Sequence, residues 1–461
     1  MAEHSGSGRR EGEATRLHPA ASAWRRPGPF RSAGRLAGAV LVASLLAGCA
    51  DRSGGGATPE HSAAGNWMAL YQQRDFFSLR DALPAAGPAA DADPQQQFLR
   101  AAVQHAFNRP AASEGALAAV LEHGEATALL RQQALLLRLQ NLVRLFRYDD
   151  ATRAADQLLS LPYGSLSQEQ RADVSNTRKL TLALAGVPPQ RLVARAPVVL
   201  DYGSDGRVDM RIGEFDLRVP FDTGANLSVL MRSEAERLGV EIRPAGIEVG
   251  TSTDMKVSAD LGVARRVQIG PLEFSDVVFL VFPDELLTFP DGHVIEGIIG
   301  FPLIEAMGEV RFRRGGLLEI PAEVSTGGDQ NLALDQLEPL VRVGYEDEWL
   351  VCRLDTGADD TVFYEPFYRR HAALFEPLGS PSEERSGGVG GIRSVQAYTL
   401  PEIAFELGGA RVVLNAVRAY ATPITDQESN DLDCNIGRTA LAGFAGYTIN
   451  FRSMSLVATE R

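Results

Sequence analysis

One five-residue phrase occurs twice in this chain, and the repetition constrains the fold more than any other feature. Phe221-Asp222-Thr223-Gly224-Ala225 returns as Leu354-Asp355-Thr356-Gly357-Ala358, at a separation of 355 − 222 = 133 residues. A single Asp-Thr-Gly is an ordinary turn sequence. Average residue usage gives roughly 0.1 chance occurrences in a chain of this length. Two copies, each after an apolar strand-like run and each followed by Ala, point to an internal duplication. A second shared element supports it. Gly300, closing Gly297-Ile298-Ile299-Gly300, follows the first aspartate by 300 − 222 = 78 residues, and Gly437, closing Asn435-Ile436-Gly437, follows the second by 437 − 355 = 82.

Around these copies the texture is all-β. Short β-branched segments such as Val198-Val199-Leu200, Val277 to Val281 and Arg411 to Leu414 are separated by glycine and proline turns. Pro321 to Gln330 reads as a linker between halves at 195–325 and 335–461. Residues 66–190 differ, being rich in Ala, Leu, Gln and Arg. Thr127 to Phe146 carries a broad apolar helical face. A further helix starts at Asp149-Asp150 and ends before Pro162 and Gly164. Helical hairpins stacked like tetratricopeptide units are one reading of this region, and a plain helical bundle is the other.

The N-terminus carries an address. Arg25, Arg26, Arg31 and Arg35 precede the apolar run Leu36 to Ala47, which ends in Leu46-Ala47-Gly48-Cys49. The run is short for a membrane span and suits a signal peptide. The ending resembles a bacterial lipobox, which implies a signal peptide at 1–48, lipidation of Cys49 and a flexible tether at 49–65. An ordinary signal peptide with an incidental cysteine is the alternative. Lipidation would anchor the chain to a membrane of the bacterial cell envelope, facing the periplasm. Ala50 fits sorting to the outer membrane.

The remaining composition excludes more than it indicates. Lys+Arg number 45 and Asp+Glu 59, a net charge of −14, which argues against a nucleic-acid partner. The histidines are scattered without a His-x-x-x-His pair, and beyond Cys49 only Cys352 and Cys434 remain. A metal site or other cofactor is therefore not expected. Gly388 to Gly391 lacks the further glycine of a dinucleotide fingerprint. A serine hydrolase fits poorly, since no Gly-x-Ser-x-Gly elbow is apparent.

The second half resembles a subunit of the retroviral, or retropepsin-like, aspartic proteases. Leu354 to Val362 is similar to that family's active-site strand and loop. Gly388-Val389-Gly390-Gly391-Ile392-Arg393 resembles its flap tip. Ile436-Gly437-Arg438 with Gly446 to Phe451 resembles its closing strands and short helix. The first half is similar in its Asp-Thr-Gly-Ala and Ile-Ile-Gly. It departs at Phe301, where the family has arginine, and around Gly250 to Lys256, where a flap would lie. The fold implied is a multidomain chain: an all-α helical-hairpin, tetratricopeptide-like domain, then an all-β pseudo-two-fold acid-protease barrel.

The resemblance also assigns roles. Asp222 and Asp355 become the catalytic carboxylates, one from each half, so a monomer suffices. Two carboxylates in one site do not both ionise easily, so one can take a proton from water while the other donates to a peptide carbonyl. Gly224 and Gly357 let the two loops approach closely. Thr223 and Thr356 brace the loops across the interface. Ala225, Asn226, Ala358, Asp359 and Asp360, with flap residues Val389, Gly390, Gly391 and Ile392, would contact substrate. Gly300, Gly437 and Arg438 would be structural, with Arg438 paired to Asp359. Asn226 stands where the second half has Asp359, so the cleft's two ends should differ. Asn435 occupies a position that is apolar in the family. Cys352 and Cys434 lie on strands that run side by side in that fold. A disulfide and two buried free thiols are both open. The implied activity is endopeptidase cleavage of protein or peptide substrates. A non-catalytic peptide-binding or scaffold lipoprotein, with a protein partner on its helical domain, is the alternative.

Overall fold

The computed structural model describes residues 42–43, 67–84, 93–251, 257–289, 292–388, 391–423 and 431–460. Cys49, Val389 and Gly390 lie outside the described residues, as do the tether and nearly all of the signal segment.

The helical region comprises α1 (Trp67–Gln72), α2 (Phe76–Ala82), α3 (Pro94–Ala106), α4 (Pro110–Glu122), α5 (Ala128–Arg144), α6 (Tyr148–Leu159) and α7 (Gln168–Ala183). Local sequence sets several of these limits. Thr127 caps α5, its Oγ1 accepting the Leu130 N–H at 3.2 Å. Ser167 and Gln170 form a reciprocal capping box at α7, with both bonds at 3.1 Å, an arrangement worth about 1 kcal/mol. Helix α6 starts at Tyr148, one residue ahead of the acidic pair. Asp149 and Asp150 fill its first turn, where the helix dipole favours negative charge. From α3 onward each helix packs on the next.

The first helices share a core of their own, with Leu79, Phe98, Leu99, Leu117, Val120 and Leu137 in one buried cluster, whereas the later ones pack on the β region. Leu139, Leu142, Tyr148, Leu158 and Leu180 share one buried cluster with Val229, Leu261, Val278 and Leu280 of the first β half. Each such side chain contributes about 1.5–3 kcal/mol when fully buried. Polar contacts reinforce the seam. Arg144, almost fully buried, bonds the His105 carbonyl at 2.9 Å and Asn108 Oδ1 at 2.6 Å, and pairs with Glu305 at 3.2 Å. Asn108 Nδ2 in turn donates to the Phe451 carbonyl at 2.9 Å.

The β region begins with β1 (Arg191–Ala194), β2 (Val198–Asp201), β3 (Arg207–Ile212), β4 (Phe215–Pro220) and β5 (Ser228–Met231). A long hairpin follows, β6 (Glu241–Thr251) and β7 (Val257–Ile269), then β8 (Leu272–Phe282) and β9 (Gly297–Ile298). Strands β6, β7, β8, β5 and β9 lie side by side in that order, with β5 parallel to β8. Alternation on β3, where Val208, Met210 and Ile212 are buried and Asp209 and Arg211 exposed, is that of a strand with one wet face.

After β10 (Glu309–Arg313) and β11 (Leu317–Ile320), the second half runs through β12 (Leu332–Asp335), β13 (Glu338–Tyr345), β14 (Glu348–Leu354) and β15 (Val362–Phe363). Its own hairpin, β16 (Ser382–Gly388) and β17 (Gly391–Leu407), is followed by β18 (Ala410–Tyr420) and β19 (Cys434–Ile436). These form an eight-stranded sheet in the order β12-β13-β14-β19-β15-β18-β17-β16. The last strands, β20 (Gly446–Asn450) and β21 (Ser455–Thr459), cross over to the first half. The five-stranded sheet β21-β20-β10-β11-β2 draws strands from both halves. Between β11 and β12 the segment at 321–331 has no regular element, yet it is tied down. Glu309 accepts from the Ser325 N–H at 2.6 Å, and Asn450 Nδ2 donates to the Ser325 carbonyl at 2.9 Å.

Candidate active site

Both Asp-Thr-Gly turns are held by the same device. The Asp222 N–H donates to the Ile299 carbonyl at 3.0 Å, and the Asp355 N–H donates to the Ile436 carbonyl at 3.0 Å. The turns meet face to face across the boundary between the halves. Thr223 Oγ1 donates to the Leu354 carbonyl at 2.7 Å and accepts the Thr356 N–H at 3.0 Å. Thr356 Oγ1 returns both bonds, to the Phe221 carbonyl at 2.8 Å and from the Thr223 N–H at 3.1 Å. All four bonds are buried, so each spares a polar group an unpaired existence.

The glycines are required by crowding. A Cβ on Gly224 would lie 2.7 Å from Asp355 Cγ, and one on Gly357 would overlap the Asp222 carboxylate. Each carboxylate is oriented by its own turn. Asp222 Oδ1 accepts the Gly224 N–H at 2.8 Å, and Asp355 Oδ1 accepts the N–H groups of Gly357 and Ala358, both at 2.9 Å. Asp222 and Asp355 are 1% and 2% exposed, so the pair sits largely out of water. Burial pushes the Asp222 carboxyl well above the usual carboxylate range. The Asp355 charge pushes the same way, and the Gly224 N–H pulls against both.

Outside the pair, the remaining predicted residues divide. Arg438 forms an ion pair with Asp359, and Arg418 pairs with Asp360 at 2.5 Å, so both acids are held at the rim of the second half. In the first half Asn226 is buried, and Ala225 passes its carbonyl to the Phe301 N–H at 2.8 Å. Phe301 is fully buried and packs edge-on to Phe451 at 5.5 Å, which accounts for an apolar residue where the second half has Arg438. Gly300 is squeezed against the backbone of Leu227 and Ser228, and Gly437 against the carbonyl of Asp360. Gly391 opens β17 and Ile392 follows it. The hairpin register sets Gly388 opposite Gly391 and Gly387 opposite Ile392. The β6–β7 hairpin occupies the same place in the order of elements, and residues 252–256 of its tip lie outside the described residues.

Cys352 and Cys434 are disulfide-bonded, with Cα atoms 4.6 Å apart at a directly paired position of the parallel strands β14 and β19. Three further residues escaped the sequence reading. Ser228 Oγ accepts the Gly300 N–H and Thr361 Oγ1 the Gly437 N–H, both at 3.0 Å. The available signal was a hydroxyl at the same offset from each aspartate, 228 − 222 = 6 and 361 − 355 = 6. The third is Asn435, noted in the sequence only as an anomaly. Its Nδ2 donates to Asp355 Oδ2 at 3.4 Å.

Residues 208–303, which hold the first Asp-Thr-Gly and the Ile-Ile-Gly, match the aspartyl protease family. The matched stretch is the first half, the copy whose motifs depart further from the family pattern. Among solved structures, part of the chain is similar to a retropepsin-like aspartic protease from Rickettsia conorii. The two share 19% identity over 28% of this chain and 94% of that one, with a TM-score of 0.20. No curated protein sequence matches the chain.

Proposed function

We propose that this chain is an aspartic endopeptidase whose dyad is Asp222 and Asp355. The observation that carries the reading is the buried, facing carboxylate pair. It is gripped by reciprocal threonine bonds, and one member is pushed toward its protonated form. A dyad holding one proton contains both a base and an acid. Water between the carboxylates gives a proton to the ionised one, and its oxygen attacks the peptide carbonyl carbon. The protonated partner donates to the carbonyl oxygen, yielding a neutral gem-diol. Transfer of a proton to the amide nitrogen then breaks the C–N bond and releases an acid and an amine. The two ionisations belong to the pair.

Other parts of the reading rest on the same frame. Shared order of turn, hydroxyl, hairpin and glycine in both halves supports a pseudo-two-fold barrel. It also supports catalysis by a monomer. Hairpins β6–β7 and β16–β17 serve as flaps over an extended peptide, whose backbone would bond to their tips. Asn226 on one side and the Asp359–Arg438 pair on the other favour an asymmetric substrate. Stacked α3 to α7 support a tetratricopeptide-like partner surface, and the lipobox supports an outer-membrane lipoprotein facing the periplasm.

The test is cleavage of a diverse peptide mixture from about pH 3.5 to 7.5 by wild type, Asp222→Asn and Asp355→Asn. Asparagine keeps the shape of the side chain but cannot share the proton. Each variant is expected to fall by at least about a hundredfold while keeping wild-type circular dichroism. A wild type silent at every pH, or an asparagine variant that cuts as well, refutes the dyad.

A further inference from the structure

The two aspartates are not equivalently surrounded. Two residues before Gly300 stands Ile298, and two before Gly437 stands Asn435. Ile298 is fully buried in an apolar cluster with Ala225, Val229 and Leu280. Asn435 is also buried, at 4% exposure, and it directs its amide at the outer oxygen of Asp355. Its Oδ1 is buried and meets no donor among the described residues. An amide in this position carries a desolvation cost that isoleucine would not. Packing alone therefore does not account for it.

Asp355 consequently receives three donors: two backbone N–H groups on Oδ1 and Asn435 on Oδ2. Donors to a carboxylate favour its charged form. We infer that Asn435 is a positioning residue that fixes the outer oxygen of Asp355 and biases the dyad's single proton toward Asp222. The inference rests on the proposed dyad and adds an assignment of roles: in the resting enzyme Asp355 is the base and Asp222 the acid. The other ionisable groups near Asp355 do not supply this asymmetry, because each is already paired. Arg353 pairs with Glu338 across β14 and β13, Arg370 with Asp433 beside β19, Arg438 with Asp359 at the following helix, and Arg418 with Asp360. Across the interface stand Asp222 itself and the buried Tyr202, whose hydroxyl burial pushes strongly toward the neutral form. The raised Asp222 described above is in the same direction as the assignment.

Asn435→Ile installs the residue of the first half. With the donor gone, protonating the base becomes easier, so the acid limb of kcat/KM should move to higher pH. The shift expected is about half to one pH unit, a three- to tenfold loss at a pH on that limb and little change on the alkaline side. Asn435→Ala removes the same donor without adding bulk and serves if isoleucine prevents folding. A second readout needs no turnover. Infrared titration of the full chain labelled at aspartate Cγ, with Asp222→Asn and Asp355→Asn to assign bands, should show Asp355 ionising before Asp222. In Asn435→Ile that order should be lost or reversed. If wild type cleaves peptides, yet both Asn435 variants keep its pH profile and order of ionisation, the inference is overturned while the dyad stands. If wild type cleaves nothing, the dyad reading fails and the titration alone judges the role of Asn435: Asp222 ionising first refutes it.

Discussion

Removing one hydroxyl from the threonine brace should weaken the junction of the halves more than any isosteric change on the surface. Thr223→Val keeps volume and branching and deletes only Oγ1. That atom donates to the Leu354 carbonyl at 2.7 Å and accepts the Thr356 N–H at 3.0 Å, and Thr223 is fully buried. The substitution strands one buried acceptor and one buried donor. Each unsatisfied group costs about 1–3 kcal/mol, so roughly 2–6 kcal/mol is expected, with the lower half of that range favoured by relaxation of the loops. Against a typical stability of about 5–15 kcal/mol this is a large fraction. Thr223→Ser restores the oxygen and should recover most of the loss. Urea unfolding of the whole chain gives the magnitude, and hydrogen exchange across 354–358 gives the location, because the Thr356 N–H loses its acceptor. The double variant with Thr356→Val should cost less than the sum, since the four bonds brace the same two loops. A Thr223→Val protein within about 0.5 kcal/mol of wild type, with unchanged exchange at 354–358, would refute the reasoning.

Three further outcomes concern other buried groups. His105 is held neutral inside the helical region, bonded to Asn141 Oδ1 at 2.7 Å, and burial, helped by the Arg144 charge, pushes its pKa from 6.5 to about 3. Between those values the unfolded chain binds the extra proton, so stability should fall as pH drops below 6.5, by about 1.4 kcal/mol per pH unit at full effect. Urea midpoints at neutral and acid pH should show this slope, and His105→Gln should flatten it; an unchanged slope contradicts the assignment. Asp222 acts with the opposite sign, its raised value making the native state lose stability as pH rises from 3.8, a contribution absent in Asp222→Asn. The disulfide closes a loop over a separation of 82 residues, so Cys352→Ser should destabilise by about 2–4.5 kcal/mol. Reductant should move the urea midpoint of wild type toward that of the variant, and a wild-type midpoint indifferent to reductant would show that the bond contributes nothing.

What the sequence made legible was whatever repeats or acts locally. The duplicated Asp-Thr-Gly and the two later glycines marked the turns because each answers a steric demand that few other residues meet. Helix limits at Thr127 and Ser167 were readable for the same reason: a cap is a contact between residues three apart. Contacts with partners far along the chain left no such trace. Arg144 sits in the last turn of α5 and reads as an exposed charge, yet it is buried against Glu305, 161 residues away. Strand β20 pairs on one side with β21 and on the other with β10 of the first half, and no local pattern announces the second pairing. Asn435 could be seen to break an apolar pattern, but its target is a side chain 80 residues distant.

The two hairpins occupy like places in the order of elements but differ in what holds them. On α7, Asn176 gives Nδ2 to the Glu248 carbonyl at 2.6 Å and takes the Glu248 N–H on Oδ1 at 2.8 Å, as a neighbouring strand would. Lys179 reaches the Gly246 carbonyl at 3.4 Å. Toward its tip the β6–β7 hairpin is thereby tied to the helical region through its own backbone. Hairpin β16–β17 receives no such helical bond among the described residues. Lifting β6–β7 away from α7 breaks these bonds. The two hairpins thus share one order of elements and differ in that the bonds from Asn176 and Lys179 reach only β6–β7 among the described residues.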